Sequence, residues 1–202
     1  MTRSTLNRIN LLWTLAWLTM LLCGCTTSWV TEAQNIITLL GPAISSALAI
    51  LSAFGVGLSP TVATAFTTWS QSAITGLGEV KTMLDEYNAA AATAKPGILA
   101  EIQTALSVIA DNLTAILPTI KITDPKTQAE VLAVIQAVAS EISALITLVP
   151  AVTAAEKSAG KMSLAELEKA VKDSHLKLSH EFKSDFNAKV ALLGPTAKQY
   201  EI

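Results

Sequence analysis

Apolar residues recur every three to four positions along almost the whole chain, the spacing of one face of an α-helix. From about Trp29 to Gly55, Ile37, Leu40, Ile44, Leu48 and Leu51 mark one face, and Ile36, Leu39, Ala43, Ala47, Ile50 and Phe54 fill much of the rest. Thr38, Ser45 and Ser52 form a thin polar stripe at seven-residue intervals. Gly41-Pro42 is expected to kink or delay this helix, because proline lacks a backbone donor and clashes one turn back. A second helix is predicted from Ser59, a capping residue followed by Pro60 at the first helical position. Its stripe is Val62, Phe66, Trp69, Ala73, Leu77, Val80, Leu84 and Tyr87, with Gly76 and Gly78 weakening the middle.

The third helix reads from Ile98 to about Ile120, and Pro118 is expected to fray its last turn. The fourth opens at Thr123-Asp124-Pro125 and carries a heptad seam of Val131, Ile135, Val138, Ile142, Leu145 and Val149. Pro150 or the turn after it is expected to end it. The fifth opens at Ser163-Leu-Ala-Glu166, a capping-box pattern with Met162 and Leu167 placed as a hydrophobic staple. Its stripe is Leu164, Leu167, Val171, Leu178, Phe182 and Phe186, and Gly194-Pro195 stops it. Sustained alternation and Asn-Gly hairpin signals are missing, so no strand is predicted. Short connections favour antiparallel neighbours. The fold class is therefore all-α: an elongated up-and-down bundle of four to five long antiparallel helices over 29–194, with a C-terminal tail at 195–202.

Charge is unevenly placed. Residues 33–78 carry none, whereas half of the charged residues lie from Glu156 to Glu201. One reading makes the first helix the central helix of the bundle, apolar all round because it is buried all round, with its Thr and Ser stripe allowing close backbone approach or bonding to its own carbonyls. A second makes residues 36–67 a membrane-inserting hairpin, since Ile36 to Leu58 is long enough to span a bilayer. A third makes the apolar surface a contact for another copy or an envelope partner. In the fifth segment, Glu168 with Lys172, Lys169 with Asp173, and Asp173 with Lys177 are spaced for ion pairs four residues apart.

Composition narrows the classes further. The chain has 202 residues, 51% hydrophobic and 15% charged, with a formal net charge of -2 and mean hydropathy of +0.48. Disorder needs low hydrophobicity and high net charge, and a nucleic-acid binder needs a basic footprint. A disulfide scaffold needs more than two cysteines. A membrane protein, or an apolar helical protein kept near a membrane, remains.

The N-terminus supplies an address. Arg3 and Arg8 precede a mostly apolar run from Ile9 to Leu22, too short for a comfortable spanning helix. Leu22-Cys23-Gly24-Cys25 follows. These four residues resemble the lipobox of bacterial lipoprotein precursors, and the resemblance covers 1–25 only. Cys23 departs from the small residue usual at its position. The resemblance implies that 1–24 is a signal peptide, that Cys25 is the acylated residue holding the protein to membrane lipid, and that 25–28 is a short tether. Thr26, rather than Asp, after the cysteine implies the outer membrane by similarity to enterobacterial lipoproteins. Trp29 would then sit at the membrane interface, where Trp is favoured.

Catalytic chemistry finds little to work with. His175 and His180, five apart, point about 140° apart on a helix and cannot share a metal from one face. Gly76-Leu-Gly78 is a lone GxG inside a helical pattern rather than a phosphate loop. Asp85-Glu86 could bind a cation but reads better as a solvated helix end, and Asn112-Leu-Thr114 is a glycosylation pattern placed mid-helix. The sequence therefore predicts a lipid-anchored, exported helical bundle with a structural or binding role, no cofactor, no metal and no nucleic-acid partner.

Overall fold

Ser59 begins the second helix as its spacing predicts. Its backbone is extended (φ -69°, ψ 144°), and its hydroxyl accepts from the Val62 N–H at 3.3 Å. The cap satisfies one of the orphan donors of the first turn, so Ser59→Ala should lower stability by about 0.5–1 kcal/mol in urea unfolding.

The computed structural model describes residues 28–159, 169, 172–174 and 176–202. In these it has four long helices, α1 (Ser28–Phe54), α2 (Pro60–Ala89), α3 (Lys95–Ile116) and α4 (Pro125–Ala159), and a shorter α5 (Ser179–Leu192). Three-residue and six-residue 3₁₀ turns follow α3 and α5, at Leu117–Thr119 and Pro195–Tyr200. The first of these is the fraying expected at Pro118. No strand occurs among the described residues.

The long helices close a ring: α1 packs on α2, α2 on α3, α3 on α4, and α4 back on α1. Neighbours run antiparallel. Trp29 and Gln34, early in α1, meet Tyr87 and Asp85 late in α2, and Thr38 further along meets Lys81. The fifth helix and the turn after it lie outside this ring, α5 across α1 and α4, and the turn on α1.

This arrangement explains why the covered face of α1 carries no charge. It is covered by α2, α4, α5 and the C-terminal turn, and Ile36, Leu40, Ala43, Ile44, Ala47, Ile50 and Leu51 are all buried. Its exposed stripe is uncharged but internally bonded. Thr38 donates to the Gln34 carbonyl, Ser45 to Gly41 and Ser52 to Leu48, each one turn back. Within the 36–67 span, Ile36, Ile37, Leu40, Ala43, Ile44, Ala47, Ile50, Leu51 and Phe66 are core positions of the bundle, Leu39, Leu48, Phe54, Leu58 and Val62 are partly buried against it, and Val56 is exposed.

Neither proline ends its helix. Both α1 and α4 run unbroken through Pro42 and Pro150. Each proline is exposed, while Leu40, Ala43 and Ile44 on one helix, and Val149 and Val152 on the other, are buried beside it. Packing on either side of the missing donor holds the helix through it. Gly76 also has a packing use, since a Cβ there would lie 3.1 Å from Ile109 Cδ1 of α3.

At one end of the ring two connections are tied together. Thr123 donates both its N–H and its hydroxyl to the Val56 carbonyl, at 2.9 and 3.0 Å. Gly57 beside it has φ +91°, and a side chain there would collide with the Thr123 hydroxyl.

The C-terminal third differs most from the sequence reading. The expected capping box at Ser163–Glu166 lies outside the described residues. The chain leaves the helical state at 176–178 and restarts at Ser179. Leu178, expected on the buried stripe, is consequently 39% exposed. Residues 195–202 are not a loose tail. Ala197 is fully buried, and the Ile202 N–H and carbonyl bond the Asn187 side chain at 2.8 and 3.1 Å.

Candidate functional site

The sequence-derived sites fall in different places. Cys25 and His175 lie outside the described residues. Trp29 is inside the bundle: it is 4% exposed, with its ring edge-on to Tyr87 at 5.2 Å between centroids. Lys95 covers the Tyr87 ring at 4.4 Å. His180 is exposed on α5.

Asp85 accepts from the Gln34 amide at 2.7 Å, so half of the acidic pair ties α2 to α1. Gly76 and Gly78 sit within α2 rather than in a phosphate-binding loop. Thr114 of the glycosylation pattern bonds the Ala110 carbonyl within α3. Among the described residues no group of three His, Cys, Asp or Glu is placed to hold a metal. A groove of about 490 Å³ between α2 and α3 is lined by Trp69, Ser72, Gly76, Glu79 and Asn112 among others. Its Trp69 indole is already committed, donating to the Ile109 carbonyl at 3.0 Å.

The densest polar chemistry lies where the chain enters α5. Three consecutive backbone N–H groups each meet a carboxylate from a different helix. Lys177 donates to Glu141 Oε1 of α4 at 3.1 Å. Leu178 donates to Glu181 Oε2 of α5 itself at 3.1 Å. Ser179 donates to Glu32 Oε1 of α1 at 2.6 Å. The opening N–H groups of a helix have no partner within it, and they favour negative charge. Here the bundle supplies that charge from two other helices.

Glu141 is the unusual member. It is 2% exposed. Burial pushes its carboxyl up to about 7, against the opposing pull of the Lys177 N–H and charge, and with added repulsion from Asp185 and Glu181. Next to it, Lys177 and Lys189 both pair with Asp185 at 2.5 Å. Burial alone would raise Asp185, but the two lysines outweigh it and hold the carboxyl below its ordinary value. The expected Asp173–Lys177 pair is replaced by this one. The helical spacing it required ends at Ser174, so Lys177 turns to α5 instead.

Sequence reasoning missed Glu141, although a signal was present. It is the only charged residue between Glu130 and Glu156, one position from Ile142 of the heptad seam. Compared with known protein families, curated proteins and solved structures, the chain matches none.

Proposed function

We propose that this protein is exported, held to the cell envelope by lipid on Cys25, and works there as a helical bundle with a structural or binding role rather than as a catalyst. The observation that carries this reading is the lipobox-like Leu22-Cys23-Gly24-Cys25, set three residues before the start of α1 at Ser28. So short a tether would bring the bundle end formed by Trp29, Tyr87 and Lys95 close to the bilayer. Two or more acyl chains on one cysteine anchor stably, at roughly 0.8 kcal/mol per buried CH₂. Tethering many copies to one surface also raises their effective concentration for self-association or for an envelope partner. The outer membrane is the favoured address, on Thr26.

The test is mass spectrometry of the mature N-terminus with fractionation of a Cys25→Ala variant. Acylated Cys25 at the first position, and loss of the variant from the membrane fraction, are expected. An intact precursor with unmodified Cys25 would overturn the reading.

A second reading, membrane insertion through 36–67, draws on Trp29–Phe54, one of two stretches among the described residues long and apolar enough to cross a membrane. Its apolar face packs largely within the bundle, so insertion would require the ring to open. A protein retained by membranes after alkaline wash despite Cys25→Ala would favour it.

A further inference from the structure

We propose that the C-terminal segment 176–202 is a clasp that opens independently of the four-helix ring and grips it more firmly as the surroundings turn acid. This inference stands apart from the question of lipid anchoring. It rests on how the segment's bonds are distributed.

Within itself the segment is closed. Lys177, Asp185 and Lys189 form a continuous ion-paired row. Asn187 and Ile202 exchange two hydrogen bonds and bring the C-terminus back onto α5. Glu181 caps the Leu178 N–H. None of these bonds is made to the ring, so undocking the segment breaks none of them.

Across to the ring, the hold is of two kinds. Phe182, Phe186, Val190 and Ala197 are fully buried, and the segment packs on α1 and α4. Two carboxylates of the ring, Glu32 and Glu141, accept the N–H groups of Ser179 and Lys177 at the segment's entry. The apolar part is indifferent to pH, whereas the Glu141 part is not. The charges acting on Glu141 are Lys177, which favours ionisation, and Glu181 and Asp185, which oppose it, all from the segment itself. From α1 the nearby acid is Glu32, two residues along the same run of N–H groups. No charged group of α3 acts on it.

A protonated Glu141 keeps an oxygen to accept from Lys177, while losing both the burial penalty and the repulsion from its two acidic neighbours. Proton uptake therefore favours the docked segment. When the segment leaves, Glu141 is uncovered and returns toward its ordinary value of 4.5 from about 7. That difference sets the expected swing at roughly fiftyfold in docking between about pH 8 and about pH 5.

The test is native-state hydrogen exchange on the full chain near both pH values, corrected for intrinsic rates. Backbone N–H groups of α5 should exchange through an opening that leaves those of α2 and α3 protected. Their protection should rise by roughly fiftyfold from about pH 8 to about pH 5. In Glu141→Gln, which keeps the acceptor but cannot titrate, that ratio should fall below about threefold. Phe186→Ala should lower protection by a similar factor at both pH values and leave the ratio intact. The proposal is overturned if α5 exchanges only together with α2 and α3, or if the pH ratio survives in Glu141→Gln.

Discussion

Ala47→Asp should abolish cooperative folding, whereas Ser45→Asp, two residues away on the same helix, should be nearly neutral. Ala47 is 1% exposed in the core of α1, with buried Ala43, Ile44, Ile50 and Leu51 along the same side of the helix. A carboxylate placed there has neither water nor a partner. An unpaired buried charge costs several kcal/mol even after relaxation, and the added volume strains a close-packed interior by about 1–3 kcal/mol more. Domain stabilities are themselves about 5–15 kcal/mol, so the sum approaches the whole. Ser45 is exposed, its hydroxyl bonded to the Gly41 carbonyl. A charge at that position meets water, and surface changes usually stay within about 0.5 kcal/mol. Far-UV circular dichroism during urea titration measures both. Equal tolerance of the two substitutions would show that the uncharged face of α1 is not packed against protein. Release of liposome contents by a folded Ala47→Asp variant would point the same way.

The contrast between these residues was readable in the sequence. The stripes drawn on the first, second and fourth helices, such as Phe66 to Tyr87 and Val131 to Val149, are buried almost residue for residue. A 3.6-residue period leaves little freedom over which face turns inward. The all-α architecture and its antiparallel order follow from those stripes and the short connections. Pro150 does not stop its helix. The local penalty of proline is real, but Pro42 and Pro150 lie on exposed positions of helices held by packing on their other sides. Leu178 fits the period of the fifth helix, so the pattern predicts no interruption there. The interruption at 176–178 depends on carboxylates at positions 32 and 141. No local pattern contains a contact of that range.

The polar cluster at the entry to α5 was therefore the least legible part. Glu141 could have been noticed as a lone acid in an apolar helix, but its partner is a backbone N–H, which has no signature in a sequence. Helical spacing pairs Lys177 with Asp173. The break in the helix sends the lysine to Asp185, eight residues on, which shares Lys189 as well. Nearness to Cys25 is what suggests the interface for Trp29. Its packing on Tyr87 depends on how α2 returns beside α1, a tertiary fact that the tether alone could not supply.

The pH profile of global stability should carry the mark of the same cluster, with Glu141 setting its neutral side. Folding raises this carboxyl from 4.5 to about 7. The folded state thus binds more protons than the unfolded state between those values, and stability falls as pH rises through the interval. The contribution is complete below about pH 4.5 and lost above about pH 7. At about 1.4 kcal/mol per pH unit the ceiling is near 3 kcal/mol, and with solvent screening allowed for, roughly 2 kcal/mol is expected. Asp185 acts in the opposite sense. Its carboxyl is held low by Lys177 and Lys189 against the effect of burial, so its contribution is present above its ordinary value of 3.8 and lost as pH falls below it. Asp124, held low chiefly by the Thr127 N–H, bends the acid limb the same way. Unfolding free energy from urea titrations should therefore peak near pH 4.5–5, where Glu141 is protonated and Asp185 is still ionised. Glu141→Gln should flatten the neutral limb, leave the acid limb in place, and stabilise the protein by roughly 2 kcal/mol near pH 8. A wild-type profile flat from pH 5 to 8, or a Glu141→Gln profile that still falls, would mean that this carboxyl stays ionised in the folded protein.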